Sequence, residues 1–107
     1  MLQFKKNFLD AIRSGEKTQT IRLWKHRMMK VGQRSYIPGV GYIHIEQVEP
    51  VELDGLTDAD AVPDGFDTAD ALRAELRQIY EAKPEQDLRA FRVCFRVLPP
   101  KEQRKSP

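Results

Sequence analysis

The 107-residue chain predicts an α+β domain, a mainly antiparallel β-barrel carrying two main helices. Three observations lead there. Segments that alternate apolar and polar residues dominate, and turns containing glycine or proline separate them. Only two long stretches show helical periodicity, one before residue 15 and one after residue 67. That is too few helices for the crossovers of a parallel sheet, whereas closure into a barrel removes exposed strand edges.

Leu2 and Phe4 alternate and predict a first strand. Asn7 is the expected N-cap of a short helix through Ser14, with Phe8, Leu9, Ala11 and Ile12 as its apolar face. Gly15 can stop that helix in a left-handed conformation. Lys17 to Trp24 predicts the second strand, because Thr18, Thr20, Ile21, Leu23 and Trp24 favour extended backbone. Lys25 to Lys30 is a basic loop, Gln33 to Pro38 a strand, and Pro38-Gly39-Val40-Gly41 a turn. Tyr42 to Glu52 alternates at Ile43, Ile45, Val48 and Val51, and its phase shift near Gln47 marks a bulge.

Thr57 starts a helical turn, and Pro63-Asp64-Gly65 is a turn. Asp67 or Thr68 caps a helix to about Glu81, with Ala71, Leu72, Leu76, Ile79 and Tyr80 expected toward the core. Phe91, Val93, Phe95 and Val97 alternate with Arg92, Cys94 and Arg96 as the cleanest strand. Pro99-Pro100 ends it. Residues 1–98 therefore read as one domain and 99–107 as a polar C-terminal tail expected to fray.

A hydrophobic fraction of 40% supplies one modest core. Cys94 is the single cysteine, which excludes an internal disulfide and points to a reducing compartment. In an apolar strand it reads as buried and inert. No apolar run approaches a membrane span and no signal-peptide pattern is present, so a cytoplasmic protein without membrane contact is expected. His26 and His44 are isolated, and neither H-x-x-x-H nor C-x-x-C spacing occurs, so no metal and no cofactor are expected. Gly39-Val40-Gly41 lacks a third glycine and reads as a hairpin, not a phosphate loop.

The net charge of +2 is unevenly placed: residues 1–45 carry +7, residues 46–75 carry −9 and residues 76–107 carry +4. Such a distribution fits a local polar site better than a long groove for duplex nucleic acid. Gly15, Lys17 and Arg22 form a G-x-K-x-x-x-x-R pattern that also holds Thr18 and Thr20. Arg22 can fork onto a phosphate or a base edge. Lys17, Lys25, Arg27 and Lys30 add positive charge around it, with Gly15 and Thr18 alongside. Trp24 and Tyr36 either stack on a base or pack in the core.

In its order of features the chain resembles the ASCH domain. The features are an apolar N-terminal stub, a short helix ending in SGEKTQTIR, a Val-Gly-Gln turn and a long middle strand. Leu-Thr-Asp before a Gly-Phe, a capped helix and an alternating last strand complete them. The resemblance covers roughly residues 2–98. It implies a PUA-like barrel with a cleft for RNA or a modified nucleoside beside Lys17 and Arg22. The family also contains small amidohydrolases and reported nucleases. The amidohydrolase branch implies Thr20 as nucleophile and Lys17 as its base at an N4-acylcytidine. The assisting glutamate of that branch falls on Asp64, one methylene shorter. Glu75, on the following helix, is the lesser substitute for that glutamate. A single-strand-specific ribonuclease is a further implied alternative.

The chemistry has a geometric condition. In a regular strand, positions 17 and 20 face opposite sides, so Lys17 must precede the strand or a bulge must intervene. Arg22 can lower the pKa of Lys17, and backbone N–H groups near Gly15 are the expected oxyanion donors.

Overall fold

The computed structural model describes residues 1–83 and 85–104. Its strands are β1 (Gln19–Trp24), β2 (Arg34–Ile37), β3 (Gly41–Pro50) and β4 (Arg89–Val97). Its helices are α1 (Leu9–Ser14), α2 (Asp58–Ala61), α3 (Ala69–Glu81) and α4 (Pro100–Gln103). The strands form one antiparallel sheet in the order β1-β4-β3-β2, curled into a half-barrel. The α+β, mainly antiparallel architecture expected from the sequence is present in that form.

β4 and β3 are the two interior strands, and the alternation of β4 suits that place. Phe91, Val93 and Phe95 are buried on one face, while Arg92 and Cys94 on the other are half-buried. The register between β3 and β4 slips between Ile45 and Gln47, the bulge expected from the phase of the sequence. One apolar cluster joins Ile43, Ile45, Val93 and Phe95 to Leu2 and Ile12. A second joins Ile21 and Ala90 to Leu56, Leu72 and Leu76 beneath α3.

The N-terminus departs from expectation. Leu2 and Phe4 do not form a strand, because the segment makes one backbone bond to the sheet, Leu2 N–H to Tyr36 O at 3.0 Å. On its other side Arg22 Nη2 donates to Gln3 O at 2.6 Å. The segment thus bridges β2 and β1 across the open side of the half-barrel. Asn7 does not cap α1: it lies in the Lys6–Phe8 3-10 turn, and Phe8 occupies the cap position without a side-chain bond.

β1 begins at Gln19, two residues later than expected. The backbone of the preceding pair bonds elsewhere: Lys17 N–H to Ala11 O at 3.0 Å, and Thr18 N–H to Pro63 O at 2.9 Å. In α3 only Ala69, Leu72 and Leu76 are buried. Ala71 is exposed, Tyr80 is 42% exposed, and Ile79, 45% exposed, borders a cavity instead of a packed interior.

Residues 100–103 add a helical turn that docks on β3. The Gln103 amide donates to Tyr42 O at 2.9 Å and accepts from Tyr42 N–H at 2.6 Å. Gly41 accommodates this contact: at φ 120°, an added Cβ would lie 2.7 Å from Gln103 Oε1. The end of the expected tail, residues 105–107, lies outside the described residues.

Candidate functional site

Two chain breaks build the site. Gly15, at φ 87°, ends α1 and turns the chain back, so that Lys17 enters the interior before β1 starts. On the opposite side Thr57 caps α2 in a capping box with Asp60. A 3-10 turn over Val62–Asp64 follows and stops at Gly65, at φ 94°. That turn aims the Asp64 carboxylate inward. A Cβ on Gly65 would lie 3.3 Å from the Phe8 ring and 3.5 Å from the Lys17 stem, so this approach also needs glycine.

Lys17 and Asp64 are each 3% exposed and form a buried ion pair, with Nζ 2.9 Å from Oδ1. The same ammonium donates to the Asp64 carbonyl oxygen. The other carboxylate oxygen accepts from Gln19 Nε2 at 3.1 Å. Gln19 also donates to Asp60 O at 3.0 Å, and Asp60 takes Arg92 Nη1 at 2.8 Å. The shorter aspartate therefore reaches Lys17 without a further methylene, and both of its oxygens are held.

Lys17, Thr20, Arg22 and Asp64 line one cavity of about 150 Å³. The geometric condition on positions 17 and 20 is met because Lys17 precedes the strand. Phe4, Phe8 and Phe66 form aromatic walls. Lys17 Nζ lies 4.8 Å from the Phe8 ring centre, and the Arg22 guanidinium 4.7 Å from that of Phe4. Arg22 Nε donates to Thr20 Oγ1 at 3.2 Å. The Lys17 ammonium bonds to Asp64, and the Thr20 hydroxyl bonds to Arg22. Glu75 borders the same cavity and is salt-bridged to Lys5.

Burial pushes the Lys17 ammonium below its ordinary pKa; Asp64 opposes this, and Arg22 adds to it. Burial likewise lowers Arg22. The expected oxyanion donors near Gly15 are engaged: Gly15 N–H bonds Ile12 O, and the N–H groups of Lys17 and Thr18 bond Ala11 O and Pro63 O. The Arg22 guanidinium is the donor beside Thr20 instead.

The remaining expected ligand contacts divide. Trp24 and Lys25 line a second cavity of about 580 Å³, to which Arg22 also contributes. Trp24 rests on Phe91, with ring centres 5.6 Å apart, so it both packs and lines. Gly15 and Thr18 border a third hollow of about 280 Å³, on the far side of Lys17. Arg27 is tied to β3 through Val48 O at 2.8 Å, and Lys30 is exposed. Tyr36 is separate, packed edge-on against Tyr42 at 5.1 Å. Arg27, Lys30 and Tyr36 line none of the three cavities. Cys94 is half-buried, and burial pushes its thiol pKa up.

Sequence reasoning missed Gln19 and the Phe4, Phe8 and Phe66 walls. Gln19, Thr20 and Ile21 are buried in succession, because the start of β1 is covered on both faces. No alternation marks Gln19 as inward. Phe8 and the Gly65-Phe66 pair were visible in the sequence, but only the fold sets the two phenyl rings 5.7 Å apart.

Neither a family model nor a curated protein sequence matches the chain. Solved structures do. A DUF984-family protein from Enterococcus faecalis V583 superposes with a TM-score of 0.70 at 20% identity, covering 86% of this chain and 67% of that one. An ASCH domain from Lactobacillus crispatus JV V101 gives 0.70 at 17% identity, covering 83% and 69%. Hypothetical protein PH0355 gives 0.69 at 16% identity, covering 90% and 95%. These likenesses establish an ASCH-like fold.

Proposed function

We propose that this ASCH-like fold binds the base of a modified nucleoside or of RNA in the cavity lined by Lys17, Thr20, Arg22 and Asp64. The single observation that carries the reading is convergence. Lys17, Thr20 and Arg22, singled out by one short motif, and Asp64, singled out by the resemblance, meet in one aromatic-walled cavity. At about 150 Å³ it is smaller than the roughly 300 Å³ from which drug-sized pockets begin, so it suits one ring. Phe4 and Phe8 offer faces for stacking, and Arg22 and Thr20 offer hydrogen bonds to a base edge.

One observation favours a second reading, hydrolysis of an N4-acylcytidine-type amide. Lys17 and Thr20 share the cavity, and burial favours the neutral amine that a base requires. In this reading Lys17 turns from Asp64 to Thr20 and takes the hydroxyl proton as Oγ attacks the amide carbonyl. Arg22 holds the developing oxyanion. The C–N bond breaks, Lys17 returns the proton to the leaving amine, and water releases the acyl group from Thr20 as a carboxylic acid. The ribonuclease reading gains no support, since neither His26 nor His44 lines this cavity.

Both readings are tested by calorimetric titration with cytidine and N4-acetylcytidine, followed by chromatography of the mixture. Binding is expected, with Arg22→Ala weakening it roughly ten-fold, as for loss of a charge-assisted hydrogen bond. Amide hydrolysis predicts cytidine and acetate from the parent and none from Thr20→Ala. Binding without product leaves a binding site. Absence of binding by the folded protein overturns the assignment.

A further inference from the structure

The second cavity differs in kind from the first. It holds about 580 Å³, a size that takes a whole nucleotide. Three basic residues line it, Arg22, Lys25 and His26, and among the described residues no carboxylate does. Trp24 contributes an indole, and Gln33 and Gln86 contribute amides. The inner cavity, by contrast, balances Lys17 with Asp64 and Lys5 with Glu75. Arg22 belongs to both cavities and is the wall between them. Among the described residues it forms no ion pair: its bonds go to Thr20 Oγ1 and Gln3 O. Arg22 feels the Asp64 carboxylate across the inner cavity but forms no ion pair with it, and a half-buried guanidinium opening on a second space lined by cations and neutral groups is complementary to an anion. An indole beside amides is complementary to a base.

We propose that the outer cavity is a subsite for a phosphate and the neighbouring nucleotide, so that the ligand is a single-stranded nucleotide chain and not a free nucleoside. The inference rests on the base-binding reading of the inner cavity. One base enters beside Lys17 and Thr20. The phosphate attached to it lies at Arg22, within reach of Lys25 and His26, and the next base lies against Trp24. A chain that must place one base in a small aromatic cavity and the next on an indole has to be single-stranded.

Trp24 is the only tryptophan, so tryptophan emission, excited away from the tyrosine band, reports on the outer cavity. The protein is titrated with cytidine, cytidine 5′-monophosphate and the dinucleotide CpC at two salt concentrations. CpC is expected to bind at least about ten-fold more tightly than cytidine, the low end of what one stacked base contributes. It should also change the Trp24 emission, and its affinity should fall with salt at a slope of about −0.7 per phosphate. Lys25→Ala/His26→Ala, both at exposed positions, should flatten the salt dependence of CpC binding, and adding Trp24→Leu should bring CpC down toward the affinity of cytidine. Equal affinities for CpC and cytidine, or a CpC preference undiminished in the triple variant, overturn the subsite while leaving the inner-cavity reading standing. Failure of all three ligands to bind overturns both. Thr20→Val separates the two claims further, because it weakens every ligand if the inner cavity receives a base.

Discussion

At the residue scale the site turns on the Lys17–Asp64 pair. Two buried charges with good geometry leave a large uncompensated cost when one is removed. Lys17→Met is therefore expected to destabilise the fold by about 3 kcal/mol in urea unfolding, and adding Asp64→Leu should recover part of that loss. Purely additive losses would contradict the pairing. The pH dependence has a definite sign. Burial holds the folded pKa of Lys17 below its ordinary 10.5. Between those values the unfolded chain binds more protons, so this group makes stability rise with pH across that window, and the full penalty applies below it. Lys17→Met should lack that rise. Lys17, Thr20 and Arg22 were legible because they share one short motif. Asp64 was legible only through family order, and Gln19 was hidden, since nothing local marks a glutamine covered on both faces of a strand.

At the element scale the turn from Thr57 to Gly65 aims the carboxylate. Thr57 accepts from Asp60 N–H, and the Asp60 side chain returns a bond to Thr57 N–H at 2.8 Å. Those bonds and Arg92 hold the Asp60 carboxyl down at about 2. Its folded pKa is depressed, so its contribution is present above the ordinary 3.8 and is lost as pH falls toward 2. Thr57→Ala is expected to cost about 1 kcal/mol through loss of the cap, whereas Asp60→Asn should remove this acid sensitivity, as measured by thermal unfolding at pH 2 to 5. Equal acid sensitivity in the parent and in Asp60→Asn would contradict the role of the box. The strands and α3 were legible because alternation and helical period are local. The N-terminal segment was not. Leu2 and Phe4 alternate like a strand, but one backbone bond to β2 and one side-chain bond from Arg22 decide its path. Those partners are distant in sequence.

At the scale of the whole molecule, the uneven charge of the sequence has a structural resolution. Arg77, Arg92 and Arg96 pair with Asp54, Asp60, Glu49 and Glu46, so basic residues of the C-terminal third neutralise much of the acidic middle. Of the cations in the first 30 residues, Lys5, Lys17, Arg22 and Lys25 line the two cavities, where the bridging N-terminal segment holds Arg22 in place. Among the described residues, no helix is long and apolar enough to cross a membrane. The central claim, that the cavity of Lys17, Thr20, Arg22 and Asp64 receives a nucleobase, is tested most directly by a crystal structure of the protein with cytidine bound. The account predicts a pyrimidine ring against Phe4 or Phe8, with a ring or exocyclic polar atom within hydrogen-bond distance of Arg22 or Thr20. Cytidine bound elsewhere, with that cavity vacant and the Lys17–Asp64 pair untouched, would contradict it.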